Sequence, residues 1–280
     1  MDSFLFFADL FKSQSNSCID VLSFVLFSIC CALCRCRKIF VFLQKTMGMM
    51  VGTDAETTFK LYLQVATVAD ACAQRCEGET ADFSTIAYEL MAQAFSVYEE
   101  EIADSKTQQR AISSIVGTLL SCKKFDKNDY EALITKATQY AAKLLKKADQ
   151  CKMVILCSHL FFTGTEDDPN AYRNPRRVLE CLQRSLKIAD ACTMASPSNV
   201  QLFVDVLDRY VYYYEMENPV ISSNFVTGLI ALVSEHLDSI GIESSPAIKE
   251  ADHQFQKIVQ YILDRKKSPA TAEHFEAIKC

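Results

Sequence analysis

An all-α fold is what this sequence predicts, and three observations predict it. Apolar residues recur at spacings of three and four from about Asp54 to about Arg265, short polar caps interrupt that pattern, and only 7 Gly and 6 Pro are available for tight turns. Half of the 280 residues are apolar, which suffices for a substantial core. A net charge of −6 with dispersed lysines and arginines argues against nucleic acid, because phosphate binding needs a basic stripe. Protein partners fit that balance better. The 13 cysteines are scattered, mostly on apolar helical faces, and form no small-domain disulfide framework; they read as reduced thiols of a cytosolic chain.

The punctuation predicts about nine helices. Thr53-Asp54-Ala55-Glu56 has a capping-box pattern and starts the first, which carries Phe59, Leu63 and Ala66 and closes at Gly78. The second starts near Asp82 or Ser84, places Ala87, Leu90, Met91, Ala94, Phe95 and Tyr98 on one face, and ends in Glu99, Glu100 and Glu101. Asp104-Ser105 caps the third, which stops before Lys123 and Lys124, and Asp126 opens the fourth. After Lys146 and Lys147 comes a short fifth helix through Cys151, Val154 and His159, apolar nearly all round and therefore expected to be buried. Residues 163–174 form the clearest loop, and Asn174-Pro175 supplies an N-cap with proline at the first helical position. Ser196-Pro197, Ser222 or Ser223, and Ser245-Pro246 open the last three helices, with Pro219 and Gly241 as stops. Helices of this length with short connections repeat in pairs every ~40 to 47 residues, the range of HEAT-like repeats. The expected architecture is an α-solenoid of HEAT-like antiparallel helix pairs over residues 53–265, with residues 266–280 as a loosely held tail.

The first 52 residues differ in character. Val21 to Cys34 is a weakly polar-to-apolar run followed by Arg35, Arg37 and Lys38. A bilayer core needs about 20 apolar residues, so the run is a marginal anchor even with Cys18 and Ile19 recruited. Its basic cluster follows rather than precedes it, which argues against a secretory signal. Cys30, Cys31, Cys34 and Cys36 have no second ligand pair at zinc spacing and no nearby histidine, so no metal is expected. Residues 1–52 are expected to be an N-terminal extension outside the repeat fold, a gene-model artefact if transcripts lack the codons for Met1 to Met47. The alternative is a membrane-tethered helical adaptor using residues 18–34.

No constellation for catalysis or cofactor binding stands out. His159, His236, His253 and His274 are far apart, without a helical metal pair, and no glycine-rich phosphate loop is present. Cys157-Ser158-His159 on an apolar helix reads as a packed thiol and a satisfied core histidine rather than a catalytic pair. Tyr210, Tyr212, Tyr213 and Tyr214 exceed one helical stripe; most of these rings are expected in the core and some at the surface. Two charged groups remain: Glu99 and Glu101 with Asp104, and Lys143, Lys146 and Lys147 at the end of the helix two further on. Solvated helix ends are the ordinary account of such groups. The sharper account is docking between copies of the chain, weakened by salt.

Five blocks, Ala87 to Lys106, Ala141 to Cys151, Cys157 to Phe162, Val178 to Cys192 and Gln201 to Asn218, resemble in order the C-terminal part of the vacuolar protein sorting-associated protein 35 family, the large subunit of retromer. The resemblance covers about Thr57 to Cys280. It implies a non-catalytic α-solenoid scaffold in endosomal cargo sorting, cytoplasmic and peripheral on endosomes, without a cofactor. It also implies that the concave side cups a small subunit of metallophosphoesterase fold. Two copies would meet through the acidic motif matching Glu99, Glu101 and Asp104 and the basic motif matching Lys143, Lys146 and Lys147. The family's N-terminal half is missing and Met1 to Gly52 has no counterpart in the resemblance, so the arrestin-like subunit is not an expected partner.

Overall fold

The computed structural model describes residues 33–75, 82–164, 168, 171–240 and 245–280. Among them eleven α-helices follow one another without a strand. They are α1 (Leu33–Met50), α2 (Ala55–Arg75), α3 (Phe83–Glu101), α4 (Ser105–Ser121), α5 (Lys127–Lys143), α6 (Lys147–Ser158), α7 (Pro175–Ala195), α8 (Gln201–Glu215), α9 (Ser223–Ile240), α10 (Pro246–Lys267) and α11 (Ala272–Phe275). Helices joined by short connections lie side by side as antiparallel pairs, so the fold is the all-α solenoid that the periodicity predicts. The chain forms two compact units, Met1–Ile102 with Ser121–Asp129 and Ala103–Leu120 with Tyr130–Cys280.

The expected caps set most helix starts. Asp82 accepts from the Thr85 amide at 3.0 Å, Asn174 from Arg177 at 3.3 Å and Ser245 from Ala247 at 3.3 Å. At α2 the N-cap is Asp54, which accepts from Thr57 at 3.0 Å, whereas the Thr53 hydroxyl donates backward to the Met50 carbonyl at 2.8 Å. Thr53 thus serves the end of α1 and not the start of α2. The proposed stops Gly78 and Gly241 lie outside the described residues.

In the first unit α2 packs along α3, and α1 packs on α2. Phe59, Ala66 and Ala69 of α2 and Ala87, Leu90, Met91, Ala94 and Phe95 of α3 are buried. The buried Asp70 carboxylate accepts from the backbone amides of Lys123 at 3.0 Å and Lys124 at 2.7 Å, and from Gln74 at 2.6 Å. It thereby holds the segment that follows α4 against α2. Helix α1 departs from the expected extension over 1–52. Its Phe40 and Met47 are each only 3% exposed, and the Phe40 ring meets Phe83 edge-on at 5.9 Å. Residues 33–50 therefore contribute to this unit's core. The remainder of the apolar run Val21 to Cys34 lies mostly outside the described residues, and no described helix is long and apolar enough to cross a membrane.

In the second unit α6 and α7 pair, α8 lies against both, and α9 and α10 pack on α8. An isolated antiparallel bridge pairs Phe162 with Arg173 through Thr163 donating to Tyr172 at 2.9 Å and Asn174 to Phe161 at 2.7 Å, and pins the two ends of the predicted loop. Helix α8 ends in a Schellman motif: Asn218 donates to Tyr213 and Glu217 to Tyr214, each at 3.0 Å, with Glu217 at φ +55°.

The C-terminal segment is not loosely held. Phe275 is fully buried and Ile278 is 1% exposed. The Tyr214 hydroxyl donates to the His274 carbonyl, the His274 ring stacks on Tyr214 at 4.2 Å and its Nε2 donates to the Tyr214 carbonyl at 2.8 Å. Lys266 donates to the Ile278 carbonyl, and the Lys279 amide to Thr227 at 3.0 Å. Two apolar anchors spaced three apart, read in sequence as an unpatterned tail, are what dock it. Phe275→Ala is expected to destabilise the second unit by about 3 to 5 kcal/mol in thermal or urea unfolding. A truly loose tail would show no change.

Candidate docking surfaces

The two charged groups occupy helix ends where the backbone field opposes them. Glu99, Glu100 and Glu101 are exposed in the last turn of α3, at the negative end of the helix. The helix stops there because Ile102 turns into an extended conformation and is buried. Asp104 is different: it caps α4, accepting from the Thr107 amide at 2.8 Å and the Thr107 hydroxyl at 2.9 Å. Those bonds, the backbone one first, hold its carboxyl below the usual range. Local structure therefore accounts for Asp104.

The lysines flank a corner. Lys143 ends α5, where a cation is favourable, whereas Lys146 is the N-cap of α6 and Lys147 its first residue, at the positive end of a helix dipole. The sequence reading had placed all three at one helix C-terminus. The Gln150 side chain donates to the Ala142 carbonyl at 2.6 Å and the Leu144 carbonyl at 3.3 Å, which ties off the end of α5. Leu144 is buried, but Leu145 is 82% exposed between the lysines. Among the described residues no carboxylate pairs with Lys143, Lys146 or Lys147, and Lys147 reaches only Gln150 Oε1 at 3.3 Å. The sequence reading missed Leu145, since the Leu144-Leu145 pair does not say which side chain the corner turns outward.

The Cys157-Ser158-His159 stretch is packed as expected. The Cys157 thiol is buried and burial raises its pKa. Residues two apart on a helix do not face each other, and His159 points elsewhere. The Arg209 guanidinium can only donate, so His159 Nε2 accepts from Nη1 at 3.3 Å and the ring is neutral. Burial, with the Arg209 charge adding to it, lowers the His159 pKa to about 3. Ser158 donates to the Ile155 carbonyl at 2.6 Å and so receives the Tyr213 hydroxyl at 2.8 Å. Tyr210, Tyr213 and Tyr214 are buried, and Tyr212 is half-exposed beneath Arg209 at 5.5 Å. Cys72, Cys122, Cys151, Cys157, Cys181 and Cys192 are buried free thiols, and Cys280 is an exposed one.

Residues 12–236 match the protein-family profile described as Vacuolar protein sorting-associated protein 35. The chain belongs to this family. The vacuolar protein sorting-associated protein 35B of Arabidopsis thaliana is 38% identical over 251 residues, which cover 87% of this chain and 30% of that protein. The vacuolar protein sorting-associated protein 35 of Schizosaccharomyces pombe is 43% identical over 197 residues, 70% of this chain and 22% of the relative. That of Dictyostelium discoideum is 30% identical over 228 residues, 80% and 26% of the two chains. The chain spans less than a third of the length of these relatives. The vacuolar protein sorting-associated protein 35 match begins well before Thr57 and includes α1, in agreement with the burial of Phe40 and Met47.

A neutral buried histidine has a measurable consequence. As pH falls through about 6.5 the unfolded chain protonates His159, while the folded chain does so only near pH 3. Stability is therefore complete above that window and falls by ~1.4 kcal/mol per pH unit within it. Urea unfolding at pH 7 and pH 5 is expected to show this loss, and His159→Gln is expected to reduce it.

Proposed function

We propose that this chain is a non-catalytic scaffold of retromer-type endosomal cargo sorting, acting from the cytoplasmic side as a peripheral component. In this reading it binds the small subunit of metallophosphoesterase fold and pairs with a second copy of itself. Family membership supports the sorting role, since the relatives are named for vacuolar protein sorting. The observation that carries the self-contact is the α5–α6 corner. Lys146 and Lys147 sit against the helix dipole, no described carboxylate compensates them, and Leu145 adds an exposed apolar anchor among them. Charge that opposes its own helix is retained most economically where a partner of opposite sign meets it, and Glu99 and Glu101 have that sign.

Two measurements test the two halves of the proposal. Pull-down with purified small subunit is expected to retain it on the full chain, and failure removes that partner. In sedimentation at low salt the chain is expected to dimerise, with affinity falling as salt rises. Lys146→Glu with Lys147→Glu should weaken the dimer at least about tenfold, and mixing with a Glu99→Lys, Glu101→Lys chain should restore association. A salt-independent dimer, or no restoration on mixing, would sink the charge-paired contact.

A further inference from the structure

The turn that follows α7 carries a serine whose hydroxyl the fold does not use. Proline follows serine at 196–197, 245–246 and 268–269, each time at a helix boundary. A serine before proline ordinarily caps the helix that the proline opens, as Ser245 does for α10. Ser196 stands in the same place before the short 3-10 turn Pro197–Val200, but its side chain caps nothing and meets the Ser198 hydroxyl at 2.9 Å. Its backbone is extended, with φ −154° and ψ 115°, and Pro197 and Ser198 after it are exposed. A kinase that reads Ser-Pro needs this arrangement, an extended backbone entering proline and a hydroxyl that no backbone group engages.

The turn lies at the same edge as the α5–α6 corner. Helices α6 and α7 are bonded at one level, the Cys151 thiol donating to the Ser185 carbonyl at 3.3 Å and the Ser185 hydroxyl to the Cys151 carbonyl at 3.5 Å. Running antiparallel from that level, the start of α6 and the end of α7 reach one edge of the second unit. Cys192 there is close to Lys147: burial pushes its thiol up, and the lysine charge opposes that push. The Cys192 carbonyl accepts from the Ser196 amide and from the Asn199 side chain, each at 3.0 Å, which fixes Ser196 one turn away. Residues 191–200 include no charged side chain, so no carboxylate of the turn itself competes for the lysines.

We propose that Ser196 is a phosphorylation site for a proline-directed protein kinase, and that its phosphate pairs with Lys146 and Lys147 and withdraws them from the self-contact. The Ser196 oxygen attacks the γ-phosphorus of ATP and forms the new O–P bond as the bond to the β,γ-bridging oxygen breaks. ADP leaves, and the hydroxyl proton passes to the kinase's catalytic carboxylate. The product carries a charge of about −1.5 to −2. Two ammonium groups that oppose their own helix dipole thereby gain a partner within the chain. Glu99 and Glu101 of a second copy then meet a neutralised corner, an effect that rests on the self-contact proposed above.

The test treats the full chain with a purified mitogen-activated protein kinase and Mg-ATP and maps phosphate by mass spectrometry. Phosphate is expected on Ser196 and not on Ser198, and Ser196→Ala should remove it. In phosphorus NMR the phosphoserine is expected to titrate below its ordinary second pKa of about 6, and Lys146→Gln with Lys147→Gln should return it to that value. In sedimentation at low salt the phosphorylated chain should dimerise at least about tenfold more weakly, whereas kinase-treated Ser196→Ala should dimerise as the untreated chain does. Failure to label Ser196, whether or not Ser245 or Ser268 is labelled, overturns the proposal. So does a titration that the lysine substitutions leave unmoved, or undiminished dimerisation of the phosphorylated chain. Labelling and titration decide the site even for a chain that is monomeric before treatment, so loss of the self-contact and loss of the site give different results.

Discussion

Helix α6 is buried along most of its length, with Lys147 and Lys152 reaching out, and the second unit is organised around enclosing it. Its apolar residues face several directions, and α5, α7 and α8 supply their surroundings. Its few polar groups then have to find partners inside protein. Gln150 takes the loose carbonyls of α5, the Cys151 thiol reaches the Ser185 carbonyl at 3.3 Å, and Ser158 accepts from Tyr213. Each bond fixes a different neighbour. The same enclosure keeps His159 neutral and the thiols of Cys151 and Cys157 protonated, with Cys151 pushed up to about 12. Groups that could suggest chemistry in isolation are thus consequences of burial.

A helical stack built this way separates two tasks. Apolar residues at helical spacing decide how helices stack, while the residues left outside are under no such constraint and can be chosen for partners. The α3 glutamates and the α5–α6 lysines around Leu145 belong to this second class. Lys146 and Lys147 in particular sit against the dipole of their own helix. Asp104 shows the contrast, because its carboxylate is spent on the amide of Thr107.

Periodicity and caps made nine of the eleven described helices legible, several to within a residue, because cap chemistry and apolar spacing act locally. The two that were missed failed for opposite reasons. Helix α1 sits beside an apolar run, and its exposed Phe42 and Met49 blur the contrast between faces that marks a buried stripe. Helix α11 has only four residues, too short for any period, and is held by Tyr214, sixty positions earlier. At the candidate docking surfaces the charges were visible in sequence, but the helix assignment of Lys146 and Lys147 and the exposure of Leu145 depend on where the α5–α6 corner turns. That geometry is set by Gln150 reaching back over the corner, a contact that residue spacing alone does not encode.

Asp70 has a consequence for the order in which the molecule assembles. Helical hairpins close through neighbours in sequence and form quickly, but this carboxylate waits for amides 53 and 54 positions ahead. All of α4, most of it in the second unit, has to be made before Lys123 and Lys124 can arrive. The first unit therefore cannot close until the chain has run through α4, although all of its residues precede Tyr130 and with it most of the second unit. Its buried Asp70 carboxylate is satisfied only by chain that follows a helix assigned mostly to the second unit.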